Sequence, residues 1–215
     1  MSSGPAYRLA TNRLQLACVG PEDIVEMHEV VRAERTRLAE HLEWARDEPL
    51  SLDARMSQVR AMRARFDLDA ECFWTVREDG RFVGMCGLHA GSTADARSLG
   101  YWLREDSCGR GLATEAACAA LAAAFVVAGA TRVEIRAAAS NTRSSKLATR
   151  LGFAREGVLQ HASTARRGGR EDLELHALLR EATPAAARRA VRVRGFDALD
   201  RELFDTARAG ASAFR

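Results

Sequence analysis

Apolar and polar positions alternate over residues 13–18, with Leu14, Leu16 and Cys18 on one side, the period of a strand with one buried face. Pro21 then opens a helical pattern that places Ile24, Met27, His28 and Val31 on a common face. A lone histidine in such a stripe reads as a packed residue, so His28 is left out of the candidate site. Residues 38–49 look irregular, with Leu42 and Trp44 as apolar anchors among charges. Ser51 is placed to cap a second helix carrying Leu52, Met56, Val59 and Phe66. The pattern fits a lid over a pocket and a packed helical hairpin equally well.

Strand patterns follow at residues 72–77, 82–89 and 97–104, the first two joined through Asp79-Gly80, a hairpin-turn pair. Residues 114–128 are Ala-rich and apolar nearly all round, so that helix must be buried on most sides before Gly129 stops it. Residues 131–137 alternate again, Val133 and Ile135 against Glu134 and Arg136. Asn141 caps a helix with Ser144, Leu147, Ala148 and Leu151 on one face, ended by Gly152. Residues 158–166 and 173–179 flank Arg167-Gly168-Gly169-Arg170 as a hairpin. Beyond Pro184 the composition turns to Ala and Arg, and residues 184–215 are expected to form a helical C-terminal extension.

With 215 residues, one cored domain is expected, over residues 8–180. A net charge of +3, with its arginines dispersed, argues against a nucleic-acid partner. Cys18, Cys72, Cys86, Cys108 and Cys118 make no CxxC pair and lie mostly in apolar patterns, so they suit a reducing cytoplasm and no metal is expected. No signal segment or spanning apolar run is seen, so no membrane partner is expected.

The chemistry is concentrated where a strand ending at Tyr101-Trp102-Leu103 passes through a polar loop into Gly109-Arg110-Gly111-Leu112-Ala113-Thr114 and the buried helix. A helix start offers unpaired N–H groups and the positive end of the dipole, which favour a pyrophosphate. Gly109 and Gly111 carry no Cβ to hold an anion off the backbone, and Arg110 adds a charged donor. No Walker sequence is present, and the third glycine of a dinucleotide fingerprint is missing. A bare GxG is more often a simple turn into a core helix, so the rest of the chain must support the reading.

That support comes as an ordered set of matches. They are Thr11-Asn12-Arg13-Leu14-Gln15-Leu16, Gly100-Tyr101-Trp102-Leu103, residues 108–116, Asn141-Thr142-Arg143-Ser144-Ser145, Arg150-Leu151-Gly152-Phe153 with Glu156-Gly157, and Gly169-Arg170-Glu171-Asp172. In these the chain resembles the GNAT N-acetyltransferases, and among them the RimJ/RimL-like branch that acetylates ribosomal-protein amino termini. The resemblance implies an α/β GNAT fold: a mixed, mostly antiparallel central sheet with splayed parallel central strands and flanking helices. It implies acetyl-CoA as cosubstrate, its pantetheine arm pairing with backbone near Leu103. The pyrophosphate would lie on Gly109, Arg110, Gly111, Leu112, Ala113 and Thr114, with Asn141 and Ser144 beside the thioester.

The implied chemistry is direct attack of an uncharged primary amine, of a protein N-terminus or a small molecule, on the thioester. Ser144 would hydrogen-bond or protonate the departing thiolate. The tyrosine that many relatives carry one turn later is replaced here by Ala148 and Thr149. Residues 158–163 lack the carboxylate that the branch offers as a base, which leaves Glu134, His161, His89 or an ordered water. Cys108 stands where the motif often begins with Arg or Gln; no paired base marks it as a nucleophile. A non-catalytic acyl-CoA sensor of the same fold is the alternative, and a homodimer is compatible with the resemblance.

Overall fold

The computed structural model describes residues 4–164, 169–181 and 191–208. Two short strands, β1 (Arg8–Ala10) and β2 (Leu14–Cys18), lead into α1 (Ile24–Leu38) and α2 (Leu52–Asp67). Strands β3 (Cys72–Glu78), β4 (Arg81–Ala90) and β5 (Ala96–Leu103) form the meander, followed by α3 (Leu112–Ala122). Then come β6 (Arg132–Ala138), α4 (Thr142–Arg150), β7 (Ala154–Thr164) and β8 (Arg170–Leu179). The described part of the tail adds β9 (Arg194–Phe196) and β10 (Glu202–Asp205).

All ten strands join one open sheet in the order β10-β9-β1-β2-β3-β4-β5-β6-β8-β7. Among the described strands β5 and β6 are the one parallel pair, and they pair only from Ala96↔Arg132 to Ser98↔Glu134. Beyond Ser98 the two strands part, so the edge of β5 from Leu99 to Leu103 faces an opening rather than a neighbour. This is the splay expected from the resemblance.

The alternation along the strands divides the core between two faces of the sheet. Leu14, Leu16, Val83, Cys86, Leu99 and Leu103 pack with the small side chains of α3 and with Leu147, Ala148 and Leu151 of α4. On the other face Phe73, Phe82, Met85 and Trp102 pack with Ile24, Met27, Val30 and Val31 of α1 and Val59 of α2. Alanine at positions 116, 117, 119, 120 and 122–124 lets α3 lie close to the strands, and all of these are buried. The helix ends through an i→i+5 bond from Ala128 N–H to Ala123 O, with Gly129 at φ +64°.

The expected helical extension is corrected over residues 191–208, where the chain forms a β-hairpin. Strand β9 pairs antiparallel with β1 through Arg8↔Phe196 and Ala10↔Arg194, extending the sheet. Val193, Phe196 and Phe204 are buried there. Burial of Val193, Phe196 and Phe204 against the sheet decides the local structure, although the Ala/Arg composition suggests helix. The remainder of the extension, residues 184–190 and 209–215, lies outside the described residues.

Candidate functional site

Gly111 takes the left-handed conformation (φ +80°, ψ 0°) directly before α3, and Gly109 also has positive φ (+76°). The first helical bond is Glu115 N–H to Gly111 O at 3.1 Å, so the N–H groups of Leu112, Ala113 and Thr114 precede the hydrogen-bonded ladder. A Cβ at Gly109 would meet nothing within 4 Å, and one at Gly111 would meet only Arg13 Nη2, at 3.6 Å. The backbone here is open to a close-lying anion.

The carboxylates near this turn are already engaged. Glu115, almost wholly buried in the first turn of α3, accepts from Thr11 Oγ1 (2.6 Å), Arg13 N–H (3.0 Å) and Arg13 Nε (2.7 Å). Burial pushes its carboxyl up, but the hydrogen bonds from Thr11 and Arg13 outweigh burial and hold it below the usual carboxylate range. Arg110 is bidentate to Glu78 at 2.7 and 2.8 Å, so its guanidinium points to β3 and its backbone contributes to the turn. Thr114 Oγ1 accepts from Arg150 Nη1 at 3.3 Å, bringing a cation from α4 to the same place.

Because Glu115 ties the β1–β2 connection to the start of α3, Glu115→Ala is expected to cost about 1–3 kcal/mol by removing the bonds it accepts from Thr11 Oγ1 and from the Arg13 N–H and Nε. Thermal melts should then show a drop of about 3–10 °C. The wild-type contribution is present above about pH 4.3, the ordinary glutamate value, and is lost as pH falls through the lower folded value. A melting temperature indifferent to the substitution would show that Glu115 does not stabilise this turn.

Leu103 lies at the end of β5, where Arg104 N–H bonds Val83 O, which leaves the Leu103 peptide facing away from β4. Its carbonyl accepts from Arg37 Nη2 at 2.6 Å. Arg37 is held in turn by Glu34 (Nε to Oε2, 2.6 Å), whose other oxygen accepts from Glu105 N–H at 3.0 Å. The end of α1 is thereby fastened to the mouth of the opening, a contact that the sequence did not reveal.

Asn141 caps α4 as its position suggests, its Oδ1 accepting from Ser144 N–H at 3.1 Å. Ser144 Oγ lies 2.8 Å from the Tyr101 hydroxyl, a bond that crosses the opening from β5 to α4. Burial raises the Tyr101 pKa, with Ser144 opposing it, so the phenol stays protonated at neutral pH. Tyr101 was legible only as part of the Gly100-Tyr101-Trp102-Leu103 match; its parity with Leu103, two residues along a strand, is the signal that places it on the face of α3 and α4.

The structure separates the three candidate bases. Glu134 is fully buried and accepts from Ser92 Oγ, Arg132 Nε (2.9 Å) and Arg136 Nη2 (3.2 Å). Burial pushes its carboxyl up, yet Ser92 and the two arginines hold it below the usual range. His161 sits exposed in an irregular stretch of β7 with φ +53°. His89 has its Nδ1 3.1 Å from Glu71 Oε1 and its ring against Phe73. Cys108 Sγ contacts Arg104 O at 3.2 Å. Among the described residues no group of His, Cys, Asp or Glu could hold a metal ion, and no helix is long and apolar enough to cross a membrane.

A family model described as an acetyltransferase (GNAT) domain matches residues 13–154. No curated protein sequence matches the chain. Among solved structures, RimL, the ribosomal L7/L12 alpha-N-protein acetyltransferase in complex with coenzyme A, superposes with a TM-score of 0.74 at 20% identity, covering 78% of this chain and 94% of its own. Mycobacterium smegmatis RimJ in complex with CoA-disulfide gives 0.72 at 21% identity, with 86% and 91% covered. A probable acetyltransferase gives 0.71 at 26% identity, with 80% and 98% covered.

Proposed function

Since the chain belongs to the GNAT acetyltransferase family, we propose that it transfers the acetyl group of acetyl-CoA to a primary amine by direct attack, with a protein amino terminus as the favoured acceptor class. The observation that carries this reading is the opening between β5 and β6, bordered by the free N–H groups of α3 at one end and spanned by Tyr101 and Ser144. The favoured acceptor class rests on the likeness to RimL and RimJ.

The residues present fit the cosubstrate. A pyrophosphate on residues 109–114 would gain the N–H groups of Leu112, Ala113 and Thr114, the helix dipole and the nearby guanidinium of Arg13 or Arg150. The anion meets no unpaired carboxylate from Glu78 or Glu115, since both are bound to arginine. The pantetheine amides would add to the open edge of β5 as a strand does, taking the Leu103 carbonyl from Arg37.

Attack of the amine nitrogen on the thioester carbon breaks the C–S bond, and the electron pair leaves on sulfur. Ser144, on the first turn of α4, would donate to that sulfur. An amino terminus, with a pKa of about 8, reaches its uncharged form with less help than a lysine at about 10.4, which suits it as acceptor.

Coenzyme A at a hundredfold excess over its Kd should stabilise the fold by about 2.7 kcal/mol, raising the melting temperature by about 5–10 °C. Release of free thiol from acetyl-CoA against a panel of amino-terminal peptides and small amines then tests catalysis and acceptor together. No binding at millimolar coenzyme A would overturn the proposal. Thiol release with small amines alone would remove the protein-acceptor part.

A further inference from the structure

The face of the sheet opposite α4 carries a second arrangement at the same opening. On β4, His89 stands in register with Ser98, and Ser98 is the last residue of β5 paired to β6. Its ring packs on Phe73, on the face that includes Trp102 and α1, while Tyr101 and Ser144 lie on the other. The ring leans across β5: a Cβ on Gly100 would come within 3.1 Å of His89 Nε2, and one on Gly87 within 3.5 Å. Gly87 and Gly100 pair directly, so two glycines form the slot that lets the imidazole lie over the strand bordering the opening.

The two ring nitrogens have different surroundings. Nδ1 is 3.1 Å from Glu71 Oε1, and Glu71 is itself held by Arg65 Nε at 3.2 Å. Nε2 has no polar partner among the described residues, and the side chain is 39% exposed. A carboxylate on Nδ1 fixes the tautomer with its proton there, leaving the lone pair on Nε2 outward, as a general base requires.

We propose that His89, oriented by Glu71, is the general base that takes the proton of the acceptor amine. The proposal rests on the transferase reading, because the base is needed only where an amine attacks. With the pyrophosphate and thiol held on the face of α3 and α4, the acceptor enters from the face of α1, where His89 waits. Nε2 takes one proton from the ammonium form of the bound acceptor, and the uncharged nitrogen then attacks the acetyl carbon. The C–S electron pair leaves on sulfur, which gains the second N–H proton, shed by the new amide nitrogen and relayed through the Ser144 hydroxyl, and His89 returns its proton to solvent. Glu71 is a positioning residue. Glu134, the other acid on this face at the apex, has its oxygens taken by Ser92, Arg132 and Arg136 and leaves the role open.

The test uses the full chain, saturating acetyl-CoA, and amines spanning pKa values of about 8 to 10.4, with single-turnover rates measured from pH 7 upward. His89→Gln is expected to lower the rate about a hundredfold for the most basic amine at pH 7, with the affinity for acetyl-CoA unchanged. The deficit should shrink for the less basic amine and as pH passes the amine's own pKa. Glu71→Gln should show the same pattern at about tenfold. A full rate in His89→Gln, or a deficit equal at every pH and for every amine, would overturn the base assignment while the transferase reading stands. A wild-type chain that binds coenzyme A and acetylates no amine would overturn both.

Discussion

Gly111→Glu is expected to abolish coenzyme A binding while the chain still folds. Gly111 holds φ +80°, so any side chain there bears left-handed strain of about 1–2 kcal/mol. A Cβ would meet only Arg13 Nη2, at an ordinary contact distance of 3.6 Å, so the turn has room for the substitution. The added carboxylate then stands beside the N–H groups that would receive the pyrophosphate and pairs with the nearby arginine. At about 5 Å and an effective dielectric of about 20, each unit of like charge costs about 3 kcal/mol, more than two powers of ten in affinity. Gly111→Ala separates the causes, since it brings the strain without the charge and should retain measurable binding. Titration calorimetry with a thermal melt on each variant checks this. A folded Gly111→Glu chain with wild-type affinity would place the pyrophosphate elsewhere.

Much of this site was legible because it depends on local backbone geometry. A positive-φ glycine before an apolar helix, and an asparagine capping the next one, are written within a few residues of the groups they position. The strand-helix order followed from the period of apolar positions and the turn residues between them, and the parting of the parallel pair from the resemblance over residues 8–180. Side-chain partnerships between distant segments were not legible. Tyr101 and Ser144 are 43 positions apart, Arg37 and Leu103 66, and Glu71 and His89 18, and each pair meets only once the sheet register is set.

Two further differences have simple causes. Strand β1 spans only Arg8–Ala10, too few residues for a period-two pattern to show, and it is held by partners on both sides, β2 and β9. In the tail, an Ala- and Arg-rich composition favoured helix by propensity. The apolar faces of Val193 and Phe204 gain more by joining the core that begins at Leu9 and Leu14. Tertiary burial therefore overrides propensity where the chain returns to an open sheet edge.

Ser144→Ala is expected to lower turnover by about one to two orders of magnitude with acetyl-CoA affinity nearly unchanged. The hydroxyl lies 2.8 Å from that of Tyr101, which is half-buried, protonated and has Ser144 as its one side-chain hydrogen-bond partner among the described residues. Either hydroxyl of this pair can donate; with the half-buried phenol as donor to Ser144 Oγ, the serine proton is free to point into the opening, toward the departing sulfur. Removing Oγ takes that donor from a charge that develops only as the C–S bond breaks, so the loss falls on kcat. The loss stays below the full range for a general acid, because water can enter the space and donate in its place. Binding changes little, since one neutral hydroxyl contributes about 1 kcal/mol net beside the pyrophosphate contacts. The cap of α4 survives, as it is made by Asn141 Oδ1 to the Ser144 backbone and not by the serine side chain. Turnover measured at saturating acceptor, beside calorimetry with coenzyme A, separates chemistry from binding. If Tyr101 acts through Ser144, adding Tyr101→Phe to the alanine variant brings no further loss. Wild-type turnover in Ser144→Ala under chemistry-limited conditions would leave solvent as the proton donor to sulfur.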